Sequence, residues 1–214
     1  MKTKRVLGVR YSIPDRIIYI NGRIDYKTML AVSLALIEIQ NECKISPVHI
    51  IIGYSRGGDA FSAFMLFNVL YNSIVPVYTY VEKLAESAAF IIFLSGKIRT
   101  MICSAYVRPH RVILQIKSKK TSSKDKKRYS NFRHISNYYL FSIIMKATGI
   151  SKEKAETICT RNAFTSSGCA QNLGFATDIV SAEDFYKQYQ LLCLLRKNKI
   201  VYNKNKYNNE TPCS

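Results

Sequence analysis

The sequence lacks any apolar run long enough to span a bilayer, which needs about 18 or more consecutive apolar residues. The longest candidates, residues 29–37 and 88–94, are interrupted by polar or charged neighbours. The basic residues 1–5 are followed by no apolar segment of the kind that secretory signals carry before Asp15 and Arg16. We therefore expect a soluble protein that is not secreted.

Tryptophan is absent. Acidic residues are also few, which leaves the chain with a large excess of positive charge. Its 32 lysines and arginines outnumber 14 aspartates and glutamates, which gives a formal net charge of +18. Such a field attracts nucleic acid, anionic lipid or an acidic protein surface, and composition does not choose among them. Lysine, asparagine, tyrosine and isoleucine are what an A+T-rich genome encodes, so we attribute part of the charge to codon usage.

Cysteine spacings typical of metal sites, such as CxxC, are also missing. A chain that is not secreted is not expected to form a disulfide framework. We predict no metal site and free thiols at all six cysteines, which are Cys43, Cys103, Cys159, Cys169, Cys193 and Cys213.

The length of 214 residues, 48% of them apolar, fits one globular domain with a sizeable core. We assign residues 1–196 to that domain. Residues 197–214 are rich in lysine and asparagine and show no apolar periodicity, so we predict a basic, disordered tail.

Strand and helix spacings of apolar residues alternate along the chain, which predicts an α/β fold with largely parallel strands. Functional groups in such folds lie at strand ends and helix N-termini. The basic residues 117–127 contain no apolar side chain and predict a mobile loop. Residues 16–25 predict a strand that runs into a glycine turn. The other predicted strands are 49–52, 75–81, 112–116 and 175–180, and the predicted helices are 26–40, 60–70, 87–94, 132–147 and 151–159.

Three segments together resemble the proteolytic subunits of the Clp protease. Residues 16–25 are similar to that family's first strand, and Ser55-Arg-Gly-Gly58 followed by Ala85-Glu-Ser-Ala-Ala89 is similar to its Ser-Pro-Gly-Gly loop and nucleophile motif. The third segment, residues 148–174, follows the family's C-terminal pattern without a gap, and residues 6–14 resemble the N-terminus of plastid-encoded members. Another crotonase-like protein, such as an acyl-CoA hydratase or isomerase, is the alternative.

The resemblance implies a crotonase-like spiral of ββα units with a protruding handle helix, in a handle region of about residues 116–147. It also implies heptameric rings, formed with other ClpP-type or ClpR-type subunits and stacked into a double-ring barrel. An AAA+ chaperone would dock outside, consume ATP and deliver unfolded proteins. No cofactor and no membrane contact are therefore expected for this chain.

The family's active site is a Ser-His-Asp triad with an oxyanion hole of backbone N–H groups. By resemblance, Ser87 stands at the nucleophile position, at the start of a predicted helix whose N–H groups favour negative charge. Gly57 and the N–H of Ala88 match the oxyanion donors. Arg56 replaces a proline of the family, and we expect this change to loosen the loop.

The base is the first departure from the family. Gln115 closes the predicted strand 112–116 where the family has histidine, and glutamine cannot take up a proton. His49 and His134 fall in an early strand and a late helix, which leaves His110 as the alternative base.

The third triad position is the second departure. Asn162 falls where the family has an acidic residue, and an amide does not stabilise an imidazolium as a carboxylate does. Asp178 lies too far along the chain to replace it. The basic residues 117–127 also stand where the family has a glycine-rich strand that aligns the substrate. These losses predict a catalytically degenerate, ClpR-like subunit that is structural in the barrel.

Two other functions remain open. The chain is an active serine endopeptidase if a rearranged triad uses Ser87 with His110, and the charge favours a nucleic-acid-binding protein. The plastid-like N-terminus, the A+T-type composition and the lack of a transit peptide predict a plastid-encoded protein that acts in the plastid.

Overall fold

In the computed structural model, which describes residues 3–113 and 122–189, nine strands form one sheet flanked by helices. The strands are β1 (Lys4–Val6), β2 (Val9–Ser12), β3 (Ile17–Ile20), β4 (Val48–Ser55), β5 (Val77–Glu86), β6 (Ile98–Ile102), β7 (Tyr106–Arg108), β8 (Thr165–Ser166) and β9 (Asp178–Val180). The helices are α1 (Tyr26–Glu42), α2 (Ala60–Tyr71), α3 (Ala88–Phe93), α4 (Ser123–Thr148), α5 (Lys152–Arg161), α6 (Ser167–Asn172) and α7 (Ala182–Tyr189).

The centre of the sheet is parallel, in the order β3-β4-β5-β6-β9, and β1 and β2 extend it antiparallel beyond β3. β5 changes its partner along its length. Tyr78 to Val81 pair with β6, whereas Leu84 to Glu86 pair with β7 in parallel register. This change places the end of β5 beside the end of β7.

The core lies where helices cover the sheet. Ile50, Ile51 and Ile52 of β4 are all fully buried, as expected for a parallel strand covered on both faces. Burying one such side chain contributes roughly 1.5–3 kcal/mol. Asp25 and Asp59 fix the starts of α1 and α2, because each carboxylate accepts a hydrogen bond from the N–H three residues later.

Arg99 in β6 holds the C-terminal part of the chain against the sheet. Its buried guanidinium donates four hydrogen bonds, to the carbonyl oxygens of Gly96, Ala147, Gly174 and Phe175 at 2.8–3.0 Å. Burial lowers the pKa of this guanidinium. These bonds join the end of α4 and the segment before β9 to β6.

The predicted strand 112–116 is wrong in its described part, because Val112 and Ile113 belong to no strand. The chain instead forms β6 and β7, which the prediction missed. Arg99 and Thr100 interrupt the apolar pattern of β6, yet both are buried and hydrogen-bonded or paired within the sheet. Within residues 16–25, the predicted strand is β3 and the predicted glycine turn follows it at Gly22, which has a positive φ of 89°.

α4 is longer than predicted and begins inside the basic segment. Ser122 caps its N-terminus by accepting from the N–H of Asp125, so residues 123–127 are helical and the predicted loop is wrong there. Residues 117–121 and the predicted tail 197–214 lie outside the described residues. Residues 126–135 are all exposed, so the first half of α4 protrudes, whereas Leu140 and Ile144 pack in the core.

Within the described residues, no helix is long and apolar enough to cross a membrane. No group of three or more potential ligands there could hold a metal ion. The four cysteines that the structure describes carry free thiols: Cys43, Cys103, Cys159 and Cys169.

Candidate active site

Three strands end at one edge of the sheet, and the candidate residues follow them. β4 ends at Ser55, shortly before Gly57, and β5 ends directly before Ser87. β7 ends two residues before His110. Parallel strands place their carboxyl ends together, and here Ser55 pairs with Ala85 while Glu86 pairs with Arg108. The fold therefore brings Gly57, Ser87 and His110 to one place.

Ser87 occupies a strained turn between β5 and α3. Its φ of 57° and ψ of −119° are unusual for a residue with a side chain, at a cost of roughly 1–3 kcal/mol. The Ser87 N–H donates to the Arg108 carbonyl oxygen at 2.9 Å, which helps to hold this conformation. The hydroxyl does not cap α3. A serine on a sharp strand-to-helix turn is the arrangement that presents the nucleophile in α/β-hydrolases.

Gly57 approaches Ser87 so closely that no side chain fits there. A Cβ at Gly57 would lie 2.6 Å from the Ser87 Cβ and 2.8 Å from the Ala88 nitrogen. Its φ of 84° also favours glycine. Backbone groups of Gly57 and Ala88 thus lie beside the Ser87 side chain, as an oxyanion hole requires. The Gly57 N–H donates to the Ser55 hydroxyl at 3.2 Å, so it must leave that bond to bind an oxyanion.

A cavity of about 530 Å³ opens in front of Ser87. His110 lines the same cavity, with Arg23, Arg56 and Asp59 among its other polar residues. The volume lies within the range of about 300–1,000 Å³ that is typical of ligand-binding pockets. The remaining wall is mostly apolar and includes Phe61, Phe64, Phe90, Ile91, Phe132 and Leu140.

His110 is oriented by a neighbouring backbone carbonyl. Its Nδ1 lies 2.7 Å from the Arg111 carbonyl oxygen, which can only accept a hydrogen bond. The neutral ring therefore carries its proton on Nδ1, and Nε2 is left as the acceptor. That tautomer is the one a general base needs, although no described hydrogen bond joins the ring to Ser87.

Asn162 lies close to these strand ends but faces a different partner. It ends α5 in a left-handed conformation, with a φ of 53°. Its carbonyl oxygen and Oδ1 accept from Nε of Arg108 at 3.2 and 3.1 Å. Asn162 therefore contacts the end of β7 and has no described hydrogen bond with His110.

Sequence reasoning missed Glu86 and Arg108. Glu86 is 7% exposed and accepts a hydrogen bond on Oε1 from Nη1 of Arg108 at 3.1 Å. Nε of Arg56 lies 3.6 Å from Oε2 of Glu86 and forms an ion pair with it. Arg56, which we expected to loosen the loop of Gly57, therefore connects this loop to β5. The sequence signal that could have revealed this ion pair is the glutamate directly before Ser87.

The other proposed site residues fall elsewhere. Gln115 lies outside the described residues, so its predicted place at a strand end stays a prediction. His49 lies in β4 and His134 in α4, as predicted. Asp178 begins β9, where it pairs with Thr100 of β6, away from the strands that carry Ser87 and His110.

Comparison with known proteins gives a family and a fold. The family model described as Clp protease matches residues 5–183. An asparagine-to-aspartate mutant of ClpP1 from Listeria monocytogenes matches in structure with a TM-score of 0.72 and 19% identity. The match covers 80% of this chain and 95% of that one, which confirms the expected α/β fold. No curated protein sequence matches this chain.

Proposed function

This chain belongs to the Clp protease family, and from that premise we propose a proteolytic-type subunit of an ATP-dependent Clp complex with a weak active site of its own. The supporting observation is the meeting of Ser87 and His110 on one cavity, at the ends of β5 and β7. In this proposal Ser87 is the nucleophile, and Nε2 of His110 takes its proton. Gly57 and Ala88 donate to the oxyanion.

The geometry favours His110 over Gln115 as the residue at the base position. β7 is the strand that pairs with the end of β5, and His110 follows it closely. Gln115 lies five residues further along the chain, beyond Val112 and Ile113, which form no strand. We therefore replace the sequence-based assignment of Gln115 by the alternative, a site formed by Ser87 and His110.

The missing carboxylate makes the proposed site weak. With Asn162 at the third position, the only described hydrogen bond of His110 is to the Arg111 carbonyl oxygen, and no described carboxylate hydrogen-bonds its ring to stabilise the imidazolium that forms when Ser87 attacks. Replacing the triad aspartate by asparagine costs roughly 10⁴-fold in turnover in a serine protease. The Arg111 carbonyl supplies the orienting hydrogen bond but not the charge, so we expect turnover well below that of a complete triad.

The proposed role in the complex is therefore mainly structural. Members of this family form ring barrels with Clp chaperones. We propose that this chain joins such a ring beside other ClpP-type or ClpR-type subunits in a plastid, and that an AAA+ chaperone consumes the ATP. Apolar side chains on the protruding half of α4 support a contact with another subunit, since Phe132 and Ile135 are 46% and 65% exposed.

A fluorophosphonate probe and a fluorogenic peptide test the site together. We expect slow labelling and slow hydrolysis by the full chain, with both lost in Ser87→Ala and hydrolysis lost in His110→Ala. His134→Ala, which changes an exposed histidine of α4, is the matched control and should have no effect. Loss of activity in Gln115→Ala with retention in His110→Ala would refute the assignment.

A further inference from the structure

We infer that Glu86 is a positioning residue whose carboxylate clamps the three segments of the active site through Arg56 and Arg108. The clamp consists of Glu86, Arg56, Arg108 and Asn162. This inference rests on the proposed function, because it concerns the same site. In this inference, side chains that do not contact the reacting atoms hold the catalytic segments in position.

Glu86 is a buried charge with two cations around it. Its side chain is 9% exposed, and Nη1 of Arg108 binds Oε1 at 3.1 Å. Oε2 has no hydrogen bond in the described part of the chain, although Nε of Arg56 is 3.6 Å away. The Arg56 side chain is 72% exposed and has room to close that gap by a change of rotamer.

Stability does not explain this arrangement well. Removing a carboxylate from water costs several kcal/mol, and a buried ion pair often adds no net stability over apolar side chains. The geometry that the pair imposes is therefore its main contribution. Glu86 directly precedes Ser87, so a shift of its backbone moves the nucleophile as well.

The clamp reaches every segment that the proposed reaction uses. Arg56 belongs to the loop of Gly57, and Arg108 ends β7 before His110. Nε of Arg108 also binds the carbonyl oxygen and Oδ1 of Asn162. One carboxylate thus connects the oxyanion loop, the segment of the base and the turn at the third position, which are distant in sequence.

The Arg108 guanidinium is itself fixed on several sides. Its central carbon lies 4.8 Å from the centre of the Phe164 ring, in a cation–π contact. Its Nε and Nη1 are both engaged, with Asn162 and with Glu86. Since a guanidinium presents its donors in one rigid plane, these contacts fix the separation of the segments they join.

The test compares Glu86→Gln with Glu82→Gln in the full chain. Glu82 is a matched control, because it is a buried carboxylate of the same strand that instead accepts from Tyr19 and Tyr186. Hydrogen exchange by mass spectrometry on residues 55–59 and 161–164 needs no catalysis. We expect exchange in both segments to rise about 10-fold or more in Glu86→Gln only. Unchanged exchange, or an equal rise in Glu82→Gln, would overturn the inference.

A second variant covers the case in which Glu86→Gln does not fold. Arg56→Met changes an exposed side chain, and we expect faster exchange in residues 55–59 but not in 161–164. No change at 55–59 would exclude Arg56 from the clamp and count against the inference.

Peptide hydrolysis then separates positioning from mere stability. In Glu86→Gln we expect kcat to fall about 10-fold or more with KM nearly unchanged. A rise in KM alone would contradict a positioning role. If the unmodified chain hydrolyses nothing, the proposed function fails, and the exchange data still decide whether Glu86 clamps the site.

Discussion

Ser87 holds a backbone conformation that a residue with a side chain rarely adopts. We expect Ser87→Gly to be more stable than Ser87→Ala by roughly 1 kcal/mol, because only glycine relieves the positive φ without strain. Both variants lose the hydroxyl, so the difference in their free energies of unfolding isolates the backbone. Denaturant titration of the two proteins measures it, and equal stabilities would show that the turn is unstrained.

His49 predicts how stability depends on pH. Burial, and secondarily the positive charge of Arg16, lowers the pKa of His49 from 6.5 to about 4. The unfolded chain therefore binds a proton between pH 6.5 and 4 that the folded chain does not, so stability falls as pH falls through this range. Over that interval, we expect the free energy of unfolding to fall by about 2 kcal/mol less in His49→Gln than in the unmodified chain.

Thermal unfolding between pH 7 and 4 checks this expectation. His134→Gln changes an exposed histidine and should retain the pH dependence of the unmodified chain. A pH dependence that is unchanged in His49→Gln would contradict the assignment of the effect to His49.

Asn162 predicts a small gain from restoring the missing carboxylate. In Asn162→Asp the new carboxylate would meet the Arg108 guanidinium, which already binds the Asn162 side chain, rather than His110. We expect kcat/KM for a fluorogenic peptide to rise by no more than about 10-fold, and Gln115→His to add nothing. A rise of about 100-fold or more would show that the carboxylate reaches His110.

The sequence predicted the candidate site residues that lie in short local motifs, but not those whose position depends on which strands pair. Ser87, Gly57, Ala88 and Asn162 were assigned by resemblance to short motifs of the Clp family, and the structure places the first three together. Whether His110 or Gln115 stands at the base position depends on which strand pairs with the end of β5. The spacing of apolar residues predicted a strand at 112–116, which would favour Gln115. The pairing of Glu86 with Arg108 shows that β7 has that position.

At the scale of elements, helices with clear caps were predicted well and short strands were not. α1 and α2 begin at the predicted residues because Asp25 and Asp59 cap them. β6 and β7 have five and three residues, too few for periodicity to show. The prediction missed the start of α4 because it interpreted the lysine-rich residues 117–127 as a loop. Ser122 lies within this segment and caps the N-terminus of α4.

Arg99 joins β6 to the end of α4 and to the segment before β9, so its loss should be costly. In Arg99→Met four carbonyl oxygens lose the donor they have in the unmodified chain. We expect the free energy of unfolding to fall by roughly 3–5 kcal/mol, because unpaired buried polar groups are expensive. Denaturant titration measures the loss, with Lys97→Met at an exposed neighbouring position as the control. A loss below about 1 kcal/mol would mean that other donors replace the guanidinium.

At the scale of the whole molecule, exposed apolar side chains predict an assembly. Among the described residues, large apolar side chains of α4 remain exposed, including Phe132, Ile135 and Tyr138. We expect size-exclusion chromatography at micromolar concentration to show oligomers, and Ile135→Glu combined with Tyr138→Glu to shift them toward monomers. A monodisperse, folded monomer from the unmodified chain would contradict this expectation.

The distance in sequence between Arg99 and its acceptors sets an order of events during translation. The ribosome finishes β6 long before it reaches Phe175, which lies 76 residues after Arg99. The guanidinium lacks three of its four acceptors until Ala147 is synthesised and lacks its last acceptor until Phe175 is synthesised, and β6 still lacks β9 as its neighbour. A nascent chain at that stage presents an open strand edge, which can pair with other chains. The edge of β6 that β9 covers in the folded chain therefore stays open to such pairing between synthesis of residues 102 and 180.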